Sequence, residues 1–132
     1  MEDHPVVLRL HLEALRRGVT IRRALLTPPL RGASFPDLDL IIIDKKLVLP
    51  QYLETGAHEL GHSILGHGCT DETTEAQAWR WASGFLVDVE QYARSERINP
   101  HPATSAVDLD LTTNIIVEWQ KHHAHQYARL VA

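Results

Sequence analysis

The stretch His58-Glu59-Leu60-Gly61-His62 is the most informative part of this sequence. It lies within residues 51–66, where apolar side chains recur every three or four positions, a pattern that predicts an amphipathic helix. Residues four apart share one face of a helix, so both imidazoles can bind one metal ion. Glu59, about 100° round the helix, can then reach a water molecule bound to that ion. This spacing is typical of a hydrolytic zinc site.

Two surface histidines on an amphipathic helix are the alternative explanation of this motif. Leu60 and Ile64 argue against it, because these apolar neighbours turn this part of the helix towards the interior. Unpaired imidazoles would be costly there. The neighbours of the two histidines therefore favour a metal site.

A site of this kind needs a third protein ligand, and Glu75, thirteen residues after His62, is the candidate. It begins the apolar stripe of a second predicted helix, which runs from residue 71 or 74 to residue 92. Small Ala78 on this stripe, with Gly61 opposite, would let the two helices approach closely enough for the carboxylate to complete a His-His-Glu set. The alternative is that this carboxylate only interacts favourably with the dipole of its helix.

Two segments also carry a family resemblance. They are His58-Glu59-Leu60-Gly61-His62-Ser63-Ile64-Leu65-Gly66-His67 and Glu75-x-x-Ala78-x-x-Trp81-Ala82-Ser83-x-Phe85-Leu86. Together they resemble the ImmA/IrrE family of zinc-dependent metallopeptidases, whose pattern is an H-E-L-G-H helix followed by E-x-x-A-[ND]-x-[FW]-A-A-x-L-L. The resemblance covers residues 19–90.

The resemblance implies a fold, a site and a substrate class. It implies a zincin-like fold, zinc ligation by His58, His62 and Glu75, and a catalytic role for Glu59. Family members encoded in phages and mobile elements typically cleave or inactivate helix-turn-helix repressors, so it also implies a protein substrate of that kind.

This sequence departs from the family pattern at two places. Trp79 stands where the family favours Asn or Asp, and Val87-Asp88 stands where many members have Met-Pro. The contacts around Glu75 are therefore expected to differ from those of other members.

The rest of the chain predicts a helix and a small sheet before the motif and a helical piece after it. Residues 4–17 have helical periodicity, and residues 19–26 read as a first strand. Residues 39–43 and 47–49 read as a hairpin, which makes the sheet mainly antiparallel. Two short helices are predicted over residues 103–109 and 112–125, and packing or partner recognition is the role expected of this piece.

The composition excludes several classes of protein. With 132 residues, 44% apolar and 23% charged, the sequence predicts one ordinary folded domain, 1–132. A net charge of −4 gives no overall positive field for binding nucleic acid, so no direct nucleic-acid partner is expected. No apolar run approaches the ~20 residues of a membrane helix, so no membrane partner is expected. The acidic N-terminus and the single Cys69 favour a cytoplasmic protein.

Nine histidines are unusually many, and some lie outside the motif. His67 is placed at the end of the motif helix, away from the metal face. His122, His123 and His125 are interpreted as a polar, solvated C-terminal cluster that could bind metal only adventitiously.

Three residues are weak candidates for stabilising a transition state. They are His101, between two prolines, and the phenols Tyr92 and Tyr127. The sequence offers no way to choose among them.

The resulting prediction is an α+β, zincin-like zinc metallopeptidase with its core over residues 19–90. It would bind Zn²⁺ and cleave a specific protein, such as a helix-turn-helix repressor of a phage or mobile element. The alternative is a zinc-containing antirepressor or binding module that inactivates its partner without proteolysis, against which the retained Glu59 argues, because a purely structural site needs no base. DNA binding through residues 103–125 is disfavoured by acidic Asp108, Asp110 and Glu118.

Overall fold

The structure is a computed structural model that describes residues 1, 3–66 and 71–131, with side chains as far as residue 129. It has a mixed α+β architecture. The elements, in chain order, are α1 (Pro5–Arg16), β1 (Thr20–Ala24), β2 (Gly32–Phe35), a short 3-10 helix (Pro36–Leu38), β3 (Leu40–Asp44), α2 (Leu49–Ile64), α3 (Glu72–Leu86), α4 (Val89–Ile98), α5 (Pro102–Leu109) and α6 (Thr113–Val131). The two helices predicted in this region correspond to α2 and to α3 with the first residues of α4.

The sheet is mixed, with β3 in the centre. In the described residues it has three strands in the order β1-β3-β2. β3 runs parallel to β1, with Ile21 opposite Ile41, and antiparallel to β2, with Ser34 opposite Ile41. The prediction of a mainly antiparallel sheet is therefore wrong for β1.

The predicted hairpin of residues 39–43 with 47–49 is also wrong. The antiparallel partner of β3 is β2, while Leu49 is already the first residue of α2. Pro50 explains the error, since a proline that ends a strand is equally well tolerated in the first turn of a helix. β2 lies in a stretch interpreted as turn-rich with short strands, where Gly32 and Pro36 interrupt the chain and leave the bounds and pairing of the strand open.

The helix predicted to reach residue 92 is divided into α3 and α4. Val87 has extended backbone angles, and Asp88 caps α4 by accepting a hydrogen bond from the backbone N–H of Gln91. An aspartate side chain that bonds the nearby backbone favours such a new helix start. Of the two predicted starts, residue 71 or 74, the structure shows the first, because Asp71 caps α3 and forms a capping box with Thr74.

One hydrophobic core joins the sheet to helices from both ends of the chain. It contains Leu10 of α1, Ile41 of β3, Leu53 of α2 and Trp119 of α6, none of them more than 2% exposed. The core thus extends beyond residues 19–90, and the C-terminal piece has the packing role that was one of its two predicted uses. Burying a tryptophan and its neighbours removes a large apolar surface from water, which holds α6 against the rest of the protein.

None of the helices in the described ranges is long and apolar enough to cross a membrane.

Candidate metal centre

The site lies where α2 and α3 pack against each other. A Cβ atom added to Gly61 on α2 would lie only 3.0 Å from the carbonyl oxygen and 3.3 Å from the Cα of Ala78 on α3. The two helices thus touch backbone to backbone, as the small residues predicted. This close approach brings Glu75, one turn before Ala78, to the histidines of α2.

His58, His62 and Glu75 meet at one point. The two carboxylate oxygens of Glu75 each accept from one imidazole: Oε2 is 3.0 Å from Nε2 of His58, and Oε1 is 2.7 Å from Nε2 of His62. One ligand atom from each residue lies within 4.8 Å of the other two, so this group could hold a metal ion. Two imidazole nitrogens and a carboxylate oxygen are a donor set that suits zinc and other divalent first-row metals.

The three side chains are shielded but still reachable from solvent. Their exposed fractions are 17% for His58, 13% for His62 and 33% for Glu75. The two imidazoles meet edge to face, with ring centroids 4.7 Å apart. This partial burial suits a site that excludes bulk water while leaving one side open to a second molecule.

Glu59 lies beside this group without belonging to it. It lines a cleft of about 290 Å³ together with His58, Glu54 and Thr55 of α2, and residues 29–32 form the opposite wall. A Cβ at Gly32 would come within 2.6 Å of Thr55 Cγ2 and 3.6 Å of Glu59 Cγ, so a side chain at this position would force Thr55 to shift, and glycine lets β2 lie close to α2. The glutamate of the motif therefore faces the same cleft as a metal ligand.

Trp79 is a part of this cleft that the sequence analysis did not assign to the site. Its indole stacks on the imidazole of His58, with centroids 4.1 Å apart and ring planes inclined by 20°. Its position four residues after Glu75 was an available signal, because residues at that spacing share one face of a helix.

A larger groove, of about 670 Å³, lies elsewhere on α3. Leu65, Trp81, Phe85 and His123 line it, and none of the candidate metal ligands does. The smaller cleft, in contrast, is lined by the candidate ligand His58 and by Glu59 of the motif.

The three weak candidates for transition-state stabilisation all have structural contacts away from the cleft. Tyr92 is buried, and its hydroxyl accepts a hydrogen bond from Gln120. Tyr127 donates to Glu96, and this hydrogen bond raises the pKa of Tyr127 to about 12. His101 caps the start of α5. None of the three lines the cleft.

The C-terminal histidines are less solvated than predicted. His122 and His123 are half-buried, and only His125 is exposed. His123 lies against Gly84 and its Nε2 is 3.0 Å from the Arg80 carbonyl oxygen, to which it donates, so it helps pack α6 on α3. His67, the other histidine considered, lies outside the described residues. In the part of the chain that the structure describes, only the group of His58, His62 and Glu75 could hold a metal.

Gly61→Val is expected to lower the free energy of unfolding by about 1–3 kcal/mol, because the new side chain meets backbone atoms of α3 that cannot turn away. Metal binding should weaken as well, since Glu75 moves with α3. Ser63→Val, on the exposed side of the same helix, is the control. Urea unfolding and metal titration of both variants would test this. Equal unfolding midpoints for Gly61→Val and Ser63→Val would show that a side chain fits between α2 and α3, against the prediction.

No protein-family model, curated protein or solved structure matches this chain. The resemblance to the ImmA/IrrE pattern therefore rests on the residues of the two motifs themselves.

Proposed function

We propose that this protein is a zinc-dependent metallopeptidase with a zincin-like fold. The observation that carries the proposal is the convergence of His58, His62 and Glu75 on one point, with Glu59 lining the adjoining cleft. The ImmA/IrrE resemblance of the same residues supports it. The sequence motifs predict a site at these four residues, and the same four side chains lie in or beside the candidate metal group.

Zinc is the metal proposed for this group. Structural zinc sites are usually closed by four protein ligands, whereas three ligands of the His-His-Glu type leave a position for water or substrate. Bound there, zinc would supply Lewis acidity, which lowers the pKa of water and polarises a carbonyl group. The three ligand residues would hold the ion between α2 and α3.

Glu59 is the proposed general base and acid. Its carboxylate would accept a proton from the attacking water and donate it to the leaving amine nitrogen as the peptide bond breaks. Glu59 lines the cleft, which supports this role, since a peptide bound there would lie beside it. A site used only for structure has no need of this residue.

The proposed substrate is a specific protein, with a helix-turn-helix repressor of a phage or mobile element as the expected type. This part of the proposal comes from the family resemblance. The size of the cleft agrees with it, since about 290 Å³ holds only a few residues of an extended chain. We place this activity in the cytoplasm, where such repressors act.

The experiment tests whether proteolysis depends on the metal. The purified protein is stripped with a chelator, half of it is reloaded with zinc, and both halves are incubated with a cell extract that contains candidate repressors. New peptide N-termini are then labelled and counted by mass spectrometry. We expect new N-termini in one or a few proteins, and only with the reloaded sample. A zinc-loaded sample that generates no more new N-termini than the stripped one would contradict the proposal.

A further inference from the structure

Trp79 covers one face of a candidate metal ligand. It stands one turn after Glu75 on α3, and its indole lies nearly parallel to the imidazole of His58 at a centroid distance of 4.1 Å. The His62 ring is steeply inclined to the same imidazole, with ring centroids 4.7 Å apart. Two aromatic side chains thus pack against the ring of His58, one nearly parallel to it and one nearly perpendicular.

Within the part of the chain that the structure describes, the hydrogen bonding of His58 involves only one of its ring nitrogens. Nε2 lies 3.0 Å from the Glu75 carboxylate, at the point where a metal would bind. For Nδ1, the structure gives no hydrogen bond among the described residues. A histidine that ligates a metal ordinarily has its second nitrogen held by a carboxylate, a carbonyl or water, which fixes the orientation of the ring.

We infer that Trp79 is a positioning residue for His58. By stacking, it holds the imidazole in the orientation that directs Nε2 at the metal. It thereby fixes the ring orientation that a hydrogen bond to Nδ1 ordinarily fixes. Stacked aromatic pairs are stabilised by offset π contact in addition to the area that they bury. This inference rests on the proposed metal site, and it adds a residue that makes no contact with the metal itself.

Trp81 provides a matched control two residues further along the same helix. Its indole stacks on Phe85, with centroids 5.1 Å apart, and it lines the larger groove rather than the cleft. Replacing either tryptophan removes the same chemical group from α3. Only the replacement of Trp79 should affect the metal ligand.

The experiment compares zinc affinity in the wild type, Trp79→Leu, Trp79→Phe and Trp81→Leu by competition with a chromophoric chelator. We expect Trp79→Leu to bind zinc roughly 10-fold more weakly, within the 10–100-fold that the loss of an outer-shell contact costs. Trp79→Phe keeps a ring that can stack and should bind like the wild type, as should Trp81→Leu. The absorption bands of the cobalt-substituted protein should shift in Trp79→Leu alone, because they report the geometry of the ligands.

A second readout uses the fluorescence of Trp79 itself. Zinc titrated into the Trp81→Leu protein should change the tryptophan emission, because the indole of Trp79 lies against a ligand of the added metal. The same titration of Trp79→Phe should leave the emission unchanged.

The outcomes separate this inference from the proposed function. If the wild type binds zinc but Trp79→Leu binds it equally tightly with an unchanged cobalt spectrum, the positioning role is wrong while the metal site stands. If the emission of Trp81→Leu does not respond to bound zinc, the positioning role is likewise wrong. If the wild type binds no zinc, the proposed metallopeptidase fails, and this inference fails with it.

Discussion

Replacing Glu59 with glutamine is expected to lower the rate of peptide hydrolysis at least 10²- to 10⁴-fold, the range typical of a lost general acid-base group. The amide keeps the shape of the side chain but cannot accept the proton of the attacking water. Zinc content and melting temperature should stay near those of the wild type, because Glu59 lies outside the group of candidate ligands. Cleavage rates, elemental analysis and thermal unfolding of the same preparation measure all three.

The same variant separates an enzyme from a binding protein. A matched assay follows the release of a repressed gene in cells that carry wild-type or Glu59→Gln protein. If derepression survives in full while cleavage is lost, the partner is inactivated by association alone. In that case the peptidase assignment would be wrong, even with a complete zinc site.

Glu75→Gln is expected to weaken zinc binding by at least about 100-fold, the upper end of what the loss of an outer-shell partner costs, because the change alters a proposed direct ligand. Glutamine retains an oxygen but loses the negative charge that offsets the charge of the ion. Both carboxylate oxygens already point at the histidines, at 3.0 and 2.7 Å, so the effect should be specific to this position. Chelator competition on the purified variant gives the affinity.

Glu72→Gln is the matched control for this prediction. Glu72 lies in the same first turn of α3 and is exposed, so it shares any favourable interaction with the helix dipole but none with the histidines. It should bind zinc like the wild type. Equal zinc affinity in Glu75→Gln and Glu72→Gln would mean that the third ligand is another residue.

The metal group could be predicted from the sequence because its geometry is local. Two histidines four apart must share a helix face, and the small residues Gly61 and Ala78 indicated where a second helix comes close. The carboxylate at the head of the second apolar stripe was then the candidate third ligand, with an interaction with the helix dipole as the alternative. Helical periodicity thus indicated that Glu75 lies near two histidines that precede it by thirteen and seventeen residues.

The strand pairing could not be predicted in the same way. β2 reads Gly-Ala-Ser-Phe, which has little strand propensity, and its partner β3 could equally pair with the chain that follows it. Its position depends on tertiary contact with α2, where Gly32 fits against Thr55. The break at Val87 and the stacking of Trp79 on His58 likewise depend on packing between elements that a local pattern does not record.

The wall of the cleft opposite α2 has a consequence for how such a protein evolves. Pro29, Leu30 and Arg31 form it from an exposed segment between two strands, whereas the candidate ligands stand on helices packed into the core. Exposed substitutions usually change stability by no more than about 0.5 kcal/mol. Mutation can therefore exchange residues 29–31 while the helices that carry the candidate ligands keep their packing. In the proposed peptidase, such changes would alter the choice of partner and leave the metal residues in place, so selectivity and chemistry would be inherited on separate parts of the chain.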